Sequence, residues 1–532
     1  MQKAASHDMV WLGFLVLVVC AFWIPVLNVQ PYLSPGDMGR DLYAFQETLR
    51  GHWPCRDYWW QYGPLMPLYY AFWFLVGGVN MVSVRVGLGV LYLLSSLFTY
   101  RTLRLFTSPA IAFLSSLAFL SLNMTWTFNH VGAFPFLILS IFSLWKFFLT
   151  HQTRWCYLGL LCLVFVASIK INTGLTSFSA LYASLLLFCG FFQWKHFETP
   201  LDRKHFVFLP LIFSVLVFAT YAFVYRGVSL DWIDQCLTIA PKYRTWAYSP
   251  WTNFKHLILR FVVWQRSRLF WVGAFLAFGV LGNFGLRKRR LLEEEKEVLL
   301  AIMGSLFLFG LANSVEYFTT EGMIYRFDFW FFPVFVLWMG LFAEGASFLF
   351  GRRAKKFLGG LIFLLLLLLP FRNLKQAYAW RTPERYLNSP EGRVYVGSPP
   401  SLAQVLNEGT DFIIRHTKPS QEILAIPYDP LYCFLSNRRH AVRELMFMEN
   451  NLIKEKQEEE IIQQLEVKQV PLIIFTNRYR SIEGGVGYFG KTHCQKLARY
   501  IFDRYEEVRT FGPWEVDSGF HAIKVLRRKG LV

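Results

Sequence analysis

The sequence is poor in the features by which metalloenzymes and repeat proteins are recognised. Its eight cysteines include no CxxC pair, and no HExxH segment occurs. CxxC spacing is the usual sign of a zinc or redox site, and HExxH is the sign of zinc hydrolysis. No unit of about 20 to 50 residues recurs. These absences argue against cysteine-bound metal, zinc hydrolysis and a solenoid; no cofactor is predicted, and nothing in the sequence supports a divalent metal.

Apolar residues are abundant and occur in long runs. Hydrophobic residues make up 54% of the 532-residue chain and aromatic residues 18%, which is more apolar surface than a soluble fold of this size usually buries. Several runs approach or exceed the roughly 20 residues needed to cross a bilayer: Trp11 to Leu27, Phe206 to Tyr225, Phe329 to Phe350 and Phe357 to Pro370. These runs predict a polytopic integral membrane protein.

The chain has a net charge of +18, and many of its basic residues lie between these apolar runs. Basic clusters, such as Arg287 to Arg290 and Arg352 to Lys356, recur after every second apolar segment, as the positive-inside rule expects. A nucleic-acid-binding protein would instead show Lys/Arg stripes on a soluble domain. The alternation predicts a cytoplasmic N-terminus, about eleven spans and an external C-terminal region. It requires Pro64 to Gly78 to lie along the outer surface as a helix.

The composition becomes polar and charged after Pro370. We therefore expect a transmembrane domain over residues 1–370 and an extracytoplasmic domain over 371–532. Glu422 to Pro427 and Pro471 to Thr476 have the pattern of short buried strands between helical segments. The predicted fold class is an α-helical polytopic membrane protein, with outer surface helices and a small C-terminal α/β domain. The glycine-rich segment 484–490 is interpreted as a loop that could line an acceptor groove.

Four cysteines fall outside the membrane in this topology. Cys433 with Cys494, and Cys55 with Cys236, are candidate disulfides in an oxidising compartment. Four free thiols are the alternative, and the sequence leaves both open.

The first outer loop, residues 28–80, is rich in Trp, Tyr, Pro and charged residues, which is not the composition of a flexible linker. Ser34-Pro35-Gly36-Asp37 supplies turn and helix N-cap chemistry. Apolar residues at helical spacing follow, so a short amphipathic helix is predicted over Met38 to Arg50. Asp37 then lies at or beside the N-terminus of this helix, and Asp41 lies one turn further on.

This loop resembles the opening of the GT-C glycosyltransferases, most closely glycosyltransferase family 39, the group of protein O-mannosyltransferases and lipid A aminoarabinose transferases. The resemblance covers residues 10–110 closely and the remaining spans in general plan. It implies a GT-C-like fold, a first loop with surface helices that carries the catalytic acid, and a place in a bacterial inner membrane. The matching residues are Asp37, Gly51, Cys55-Arg56-Asp57-Tyr58, Gly63-Pro64-Leu65, Pro67-Leu68-Tyr69-Tyr70, Gly77-Gly78 and Arg85.

The chain departs from the family at one position. Family members commonly have a second acid directly after the first, whereas Met38 follows Asp37 here and the next acid is Asp41. This departure counts against a role that needs two adjacent carboxylates, such as holding a metal.

Transfer of a sugar from a polyprenyl phosphate to a hydroxyl, with inversion, needs one base for the acceptor proton and cations for the leaving phosphate. Asp37 is the predicted general base; the alternative is that it only caps the helix. Asp41 is the second catalytic candidate, because it could orient Asp37 or the acceptor, and a solvated helix face is its alternative. Asp57 matches a family position, but a local ion pair with Arg56 is the other interpretation.

Several residues are candidates for substrate binding. Arg326 is predicted to bind the carrier phosphate, because arginine matches phosphate geometry; snorkelling beside an acid is the alternative. For each of the weaker candidates, a plain interfacial or anchoring role is the alternative. These weaker candidates are Lys242 and Arg244 for the phosphate, Lys170 at a span end, His130 at a turn between spans, and Tyr62 as a surface for stacking on sugar.

The predicted function is an inverting glycosyltransferase that acts at the outer face of the membrane. Its partners would be a polyprenyl-phosphate sugar donor, membrane lipid and a glycan, lipid or protein acceptor, with no nucleic acid. A transporter or flippase for lipid-linked glycans and a non-catalytic assembly partner are the alternatives. A transporter should carry ionisable residues near mid-span, whereas the charges here cluster at span ends and in outer loops.

Overall fold

The structure is a computed structural model of the chain. It describes residues 2–121, 128–196, 203–228, 293–319, 332–345, 370–447, 453–478, 488–516 and 518–530, and the structural statements below concern these residues. Helices dominate up to residue 379, and one mixed sheet lies beyond residue 420.

Most helices of the first part are apolar on all sides, which is the pattern of helices surrounded by lipid or by other helices. Five segments are long and apolar enough to cross a membrane: Asp8–Val26, Met81–Leu103, Asn129–Thr150, Ile171–Gly190 and Lys204–Val224. The chain is therefore a membrane protein. The number of about eleven spans stays a prediction, because residues 229–292 and 346–369 lie outside the described residues.

The helices are numbered here in chain order. They are α1 (Gln2–Trp23), α2 (Asp37–Leu49), α3 (Leu65–Gly77), α4 (Met81–Leu103), α5 (Pro109–Ser116), α6 (Phe128–Val131), α7 (Ala133–Thr150), α8 (Arg154–Ile169), α9 (Ile171–His196), α10 (Arg203–Val224), α11 (Glu293–Thr319), α12 (Phe332–Gly345), α13 (370–379), α14 (Pro400–His416), α15 (Leu431–Ser436), α16 (Glu455–Val467) and α17 (Gln495–Arg504).

The predicted amphipathic helix after Asp37 is confirmed as α2. This helix lies between α3 on one side and the short helix α15 on the other, and its residues from Met38 to Glu47 are buried. Gly39 permits the contact with α15, because a Cβ atom at this position would lie 2.5 Å from the backbone nitrogen of Leu431. The helix is therefore an internal element between the apolar helices and the C-terminal region.

The strands form two sheets. The first pairs β1 (Val29–Gln30) with β2 (Tyr395–Val396) in parallel, which ties the end of the first apolar helix to the C-terminal region. The second has five strands in the order β4-β3-β5-β7-β6. Strand β3 is parallel to β4 and β5, whereas β7 is antiparallel to β5 and β6. These strands are β3 (Glu422–Ile426), β4 (Arg439–His440), β5 (Leu472–Thr476), β6 (Tyr505–Phe511) and β7 (Ile523–Arg528).

The two strands predicted in the C-terminal region are confirmed as β3 and β5. One candidate disulfide is wrong, since Cys433 and Cys494 are both buried free thiols. Each lies in its own apolar surroundings, which accounts for their burial without a bond between them. Cys55 is also a free thiol, and Cys236 lies outside the described residues.

Candidate active site

Asp37 is the first residue of α2, and its carboxylate reaches towards the C-terminal region. The N-cap position belongs to Gly36, with no side-chain cap hydrogen bond, and the backbone N–H of Asp37 donates to the hydroxyl of Ser34 at 3.3 Å. The Asp37 side chain is 48% exposed. Its Oδ1 accepts a hydrogen bond of 2.7 Å from the hydroxyl of Tyr428. The interpretation that Asp37 only caps the helix is therefore wrong.

Arg40 connects the two carboxylates of α2 from a fully buried position. Its Nε and Nη2 donate to Asp41 Oδ1 at 3.0 and 2.7 Å. Its Nη1 donates to the Tyr428 hydroxyl at 3.0 Å and lies 3.5 Å from Asp37 Oδ1. Since a guanidinium stays protonated in proteins, Asp37 lies beside a fixed positive charge.

Asp41 is buried completely, with 0% of its surface exposed. Its second oxygen, Oδ2, accepts a hydrogen bond of 2.6 Å from the side-chain amide of Asn129, at the start of the span Asn129–Thr150. Burial raises the pKa of Asp41 to about 6, although the adjacent Arg40 acts to lower it. The alternative that Asp41 lies on a solvated helix face is therefore wrong, because α2 packs between two layers of the molecule.

Three aromatic rings of the first loop surround the Arg40 guanidinium. Its central carbon lies 5.8 Å from the ring centres of Trp59 and Trp60 and 5.2 Å from that of Tyr62. Such cation–π contacts stabilise a buried arginine. Trp59 and Trp60 are 2% and 0% exposed, so their rings pack on Arg40 and are not open for stacking on a sugar.

Tyr62 and His130 lie beside this cluster, and Lys170 lies at the end of the helix that contacts the Tyr62 segment. Tyr62 is partly buried, and its ring meets that of His130 edge-on at 5.6 Å. Lys170 occupies the single residue between α8 and α9. The preceding residue, Ile169, accepts a hydrogen bond of 2.9 Å from the backbone N–H of Gly63, and this contact fixes the Tyr62 segment against the end of α8.

Asp57 forms the ion pair that the sequence suggested. Its Oδ2 lies 2.7 Å from Arg56 Nη2, and the same oxygen accepts a hydrogen bond of 2.7 Å from the backbone N–H of Trp53. Burial acts to raise the pKa of Asp57, but the Arg56 guanidinium and the Trp53 amide hold it below its usual value. The structure therefore gives Asp57 a place in fixing the loop.

Three predicted phosphate-binding residues, Arg326, Lys242 and Arg244, lie outside the described residues. In the part of the chain that is described, no group of three or more His, Cys, Asp or Glu side chains lies close enough to hold a metal ion.

One sequence pattern near the sheet has the spacing of a phosphate-binding loop. Gly485, Gly490, Lys491 and Thr492 fit GxxxxGK[ST], which in such loops leads directly into a helix. Here α17 begins only at Gln495. The Lys491 ammonium lies over the ring of Tyr488, and the Thr492 hydroxyl is bonded to the Tyr488 backbone. The described part of the pattern therefore forms a local turn.

Sequence reasoning missed three residues of this cluster: Arg40, Asn129 and Tyr428. Arg40 had a usable signal, because residues three positions apart on a helix are neighbours and Arg40 follows Asp37 by three. Tyr428 is 391 residues away from Asp37, and Asn129 is 88 residues away from Asp41. Their spacing in the sequence carries no sign of contact.

Comparison with solved structures identifies the fold. ArnT from Cupriavidus metallidurans bound to undecaprenyl phosphate is 13% identical, with a TM-score of 0.55 over 97% of this chain and 98% of that one. The Archaeoglobus fulgidus oligosaccharyltransferase in the apo form is 12% identical, with a TM-score of 0.48 over 88% of this chain and 69% of that one. The mycobacterial arabinofuranosyltransferase AftD is 11% identical, with a TM-score of 0.48 over 98% of this chain and 40% of that one.

The likeness to ArnT extends over nearly the full length of both chains, and the chain therefore shares its GT-C fold, as the first-loop resemblance predicted. The other two scores are too low to add to this conclusion. No protein-family model matches the sequence. No curated protein matches it either.

Proposed function

We propose that the protein is an inverting glycosyltransferase, which moves a sugar from a polyprenyl-phosphate donor to a hydroxyl acceptor at the outer face of the membrane. One observation carries this proposal. At the N-terminus of α2, a half-exposed carboxylate is held by a buried tyrosine hydroxyl and a buried arginine. A positioned carboxylate that stays partly open to a substrate is the arrangement that a general base requires.

The proposed reaction uses Asp37 as that base. The acceptor oxygen attacks the anomeric carbon of the donor sugar while Asp37 takes the proton of the acceptor hydroxyl. The bond between the anomeric carbon and the phosphate oxygen breaks, and the polyprenyl phosphate leaves with the electron pair. Attack opposite the leaving group inverts the anomeric configuration, and the leaving phosphate needs cations rather than an acid because it is already charged.

Tyr428 and the Arg40–Asp41 pair support this role by positioning the base. Burial raises the pKa of the Tyr428 hydroxyl well above its usual value, so the hydroxyl keeps its proton and donates a hydrogen bond to Asp37. Asp41 in turn holds Arg40 through two hydrogen bonds. Pre-organised donors of this kind cost no rearrangement when the reaction occurs.

The donor class rests on the fold and on the placement of the site. ArnT, whose fold the chain shares, was solved bound to undecaprenyl phosphate. In this chain Asp41 is bonded to Asn129 at the end of an apolar span, so the cluster lies where a lipid-anchored phosphate can reach it. Arg326 remains our candidate for binding this phosphate, with Lys242 and Arg244 as further candidates. We place Lys170, His130 and Tyr62 beside the donor sugar.

The decisive experiment removes the proposed base and keeps its shape. The purified chain is placed in vesicles with radiolabelled undecaprenyl-phosphate-linked hexoses or pentoses and a mixed set of octyl glycosides as acceptors. Asp37→Asn should lower the rate of transfer by roughly 100- to 10,000-fold, the usual contribution of a general base, while the melting temperature stays near that of the parent protein.

Asp411→Asn is the matched control. Asp411 also lies on a helix, is also 48% exposed and also pairs with an arginine on its own helix, Arg415. This variant should keep full activity. Transfer by Asp37→Asn at the parental rate would reject Asp37 as the base, and a parent protein that transfers no sugar from any of these donors would reject the proposed function.

A further inference from the structure

The carboxyl ends of β3 and β5 lie directly beside Asp37. These strands are parallel neighbours, and the chain leaves them at Tyr428–Asp429 and at Asn477–Arg478. Tyr428 is the residue that donates to Asp37. A Cβ atom placed on Gly36 would lie 2.9 Å from Nη1 of Arg478, so this arginine borders the turn that precedes Asp37. In open α/β sheets, ligands bind outside the carboxyl ends of parallel strands.

Arg478 has hydrogen-bonding capacity that the rest of the site leaves unused. Its guanidinium lies over the Tyr428 ring, 5.5 Å from the ring centre, and its side chain is partly buried. Its Nε is buried and has no hydrogen-bond partner among the described residues. Arginine offers five N–H donors in a fixed plane, so Arg478 presents an oriented donor surface next to the proposed base.

Asp429 is a second polar group with unused capacity at this edge. It is 2% exposed, and its Oδ2 has no hydrogen-bond partner within the described ranges. Burial raises the pKa of Asp429 to about 7, although the nearby Arg478 and the Thr476 side chain act to lower it. An unsatisfied buried polar group is costly, and a donor and an acceptor left unsatisfied at one strand edge indicate a place where a ligand completes the bonding.

We propose that this edge binds the acceptor, and that Arg478 donates hydrogen bonds to an oxygen of a carbohydrate-type, hydroxyl-bearing acceptor whose reacting hydroxyl lies at Asp37. This inference rests on the proposed glycosyl transfer.

The charges around Arg478 favour a neutral carbohydrate over an anionic acceptor. The Arg478 guanidinium lies beside Gly36, the residue that precedes Asp37, and Arg40 is already bonded to Asp41. An added phosphate would therefore be placed close to the negative charge of Asp37. Sugar hydroxyls both donate and accept, so they can satisfy an arginine and a carboxylate at once.

The position of the edge favours the acceptor over the donor. The polyprenyl donor stays anchored in lipid, on the side of α2 where Asp41 bonds to Asn129 of the span. Arg478 follows β5 on the side of the C-terminal region, which meets α2 through Tyr428 and α15. Two substrates that approach Asp37 from these two directions would leave donor and acceptor on separate sides of the base.

The test separates the kinetics of the two substrates. Arg478→Gln in the full-length protein should raise the KM for octyl glycosides by about 10- to 100-fold, the loss expected for a hydrogen bond from a charged group. The KM for the undecaprenyl-phosphate-linked donor and the hydrolysis of that donor by water should not change. Arg478→Lys should recover part of the loss. Arg509→Gln is the matched control, because Arg509 lies on β6 with its guanidinium 5.7 Å from the Phe511 ring, and it should behave as the parent does.

Other outcomes would overturn the inference. A raised KM for the donor with an unchanged KM for the glycosides would assign Arg478 to the carrier phosphate. An unchanged KM for both substrates, or no saturation by any glycoside in a parent protein that hydrolyses its donor, would reject a carbohydrate site at this edge. All three results leave the proposed function intact if donor turnover still depends on Asp37.

Discussion

The two ends of α2 each carry an arginine paired with an acid, yet they are built differently. At the N-terminal end, Arg40 and Asp41 are 1% and 0% exposed, and their further partners come from the first loop, the span and the sheet region. At the C-terminal end, Arg50 is 28% exposed and Glu47 3%. Glu47 also bonds to His52 at 2.6 Å, and Arg50 donates to the side-chain oxygen of Asn437, so this more exposed pair has partners both in the first loop and in the C-terminal region.

The difference shows how one helix can be fixed to the rest of the molecule at one end and hold a half-exposed carboxylate at the other. The C-terminal half of α2 fastens the helix to the C-terminal region: the backbone N–H of His440 donates to the Tyr43 hydroxyl, and the Gln46 amide donates to the side-chain oxygen of Asn437. With that end fixed, the first turn can hold Asp37 half-exposed beside a buried cation. Residues on rigid elements hold reactive geometry more accurately than residues on loops.

The largest effect should come from removing the buried arginine. Arg40→Met leaves Asp41 without its charged partner and Tyr428 without a donor, so we expect a loss of about 3 kcal/mol in the free energy of unfolding and loss of transfer activity. Arg50→Met, at the more exposed pair, should cost about 1 to 2 kcal/mol, because Glu47 keeps His52 as a partner, and should keep activity. Thermal unfolding in detergent, followed by tryptophan fluorescence, compares them. Equal destabilisation by the two changes would remove the distinction between the ends.

The next largest effect concerns the hydroxyl that joins the sheet region to the base. Tyr428→Phe removes the donor to Asp37, and we expect kcat to fall by about tenfold to thirtyfold, the equivalent of about 1.4 to 2 kcal/mol in the barrier. Tyr432→Phe is the control, because the Tyr432 hydroxyl is also buried and bonded, but to His521 at 2.9 Å instead of to a charged group of α2. If both variants lose kcat alike, Tyr428 acts through general packing and not through Asp37.

The sequence predicted the parts of this site that depend on local order. The apolar spacing after Asp37 was enough to predict α2, because helical periodicity operates within a few residues. The ion pair of Arg56 with Asp57 was expected because these residues are adjacent in the chain. The apolar runs likewise predicted a membrane protein, since the thickness of a bilayer sets their length.

The environment of each charge could not be predicted in this way. Asp37 and Asp41 lie one helical turn apart, but one is half-exposed and the other fully buried, because α15 and the span containing Asn129 cover only part of the helix. Those partners are tens to hundreds of residues distant in the chain. The pattern of a single helix cannot show which of its faces another segment will cover.

Lowering the pH should have opposite effects on the activity of the site at the N-terminal end of α2 and on the contribution of Asp41 to stability. The pKa of Asp41 is about 6, so below this pH it becomes protonated, releases Arg40, and kcat/KM should fall by about tenfold at pH 5. The folded state binds this proton more tightly than the unfolded state, so the contribution of Asp41 to stability should rise as pH falls from about 6 to 4. Asp41→Asn should lack both responses. A parent profile of kcat/KM that stays flat down to pH 5 would show that the charge of Asp41 is not needed.

The smallest effect should come from the anchoring end. Asn437 accepts hydrogen bonds from Gln46 and Arg50 and has a backbone φ of 54°, which glycine adopts without strain. Asn437→Gly therefore removes only the side-chain contacts, and we expect a loss of about 1 kcal/mol in stability with kcat unchanged. Asn437→Ala should cost roughly 1 kcal/mol more, because a Cβ atom is unfavourable at this φ. If Asn437→Gly instead lowered kcat as much as Tyr428→Phe does, the C-terminal end would have to be counted as part of the machinery that positions Asp37, and the division of α2 into an anchoring end and a reactive end would be wrong.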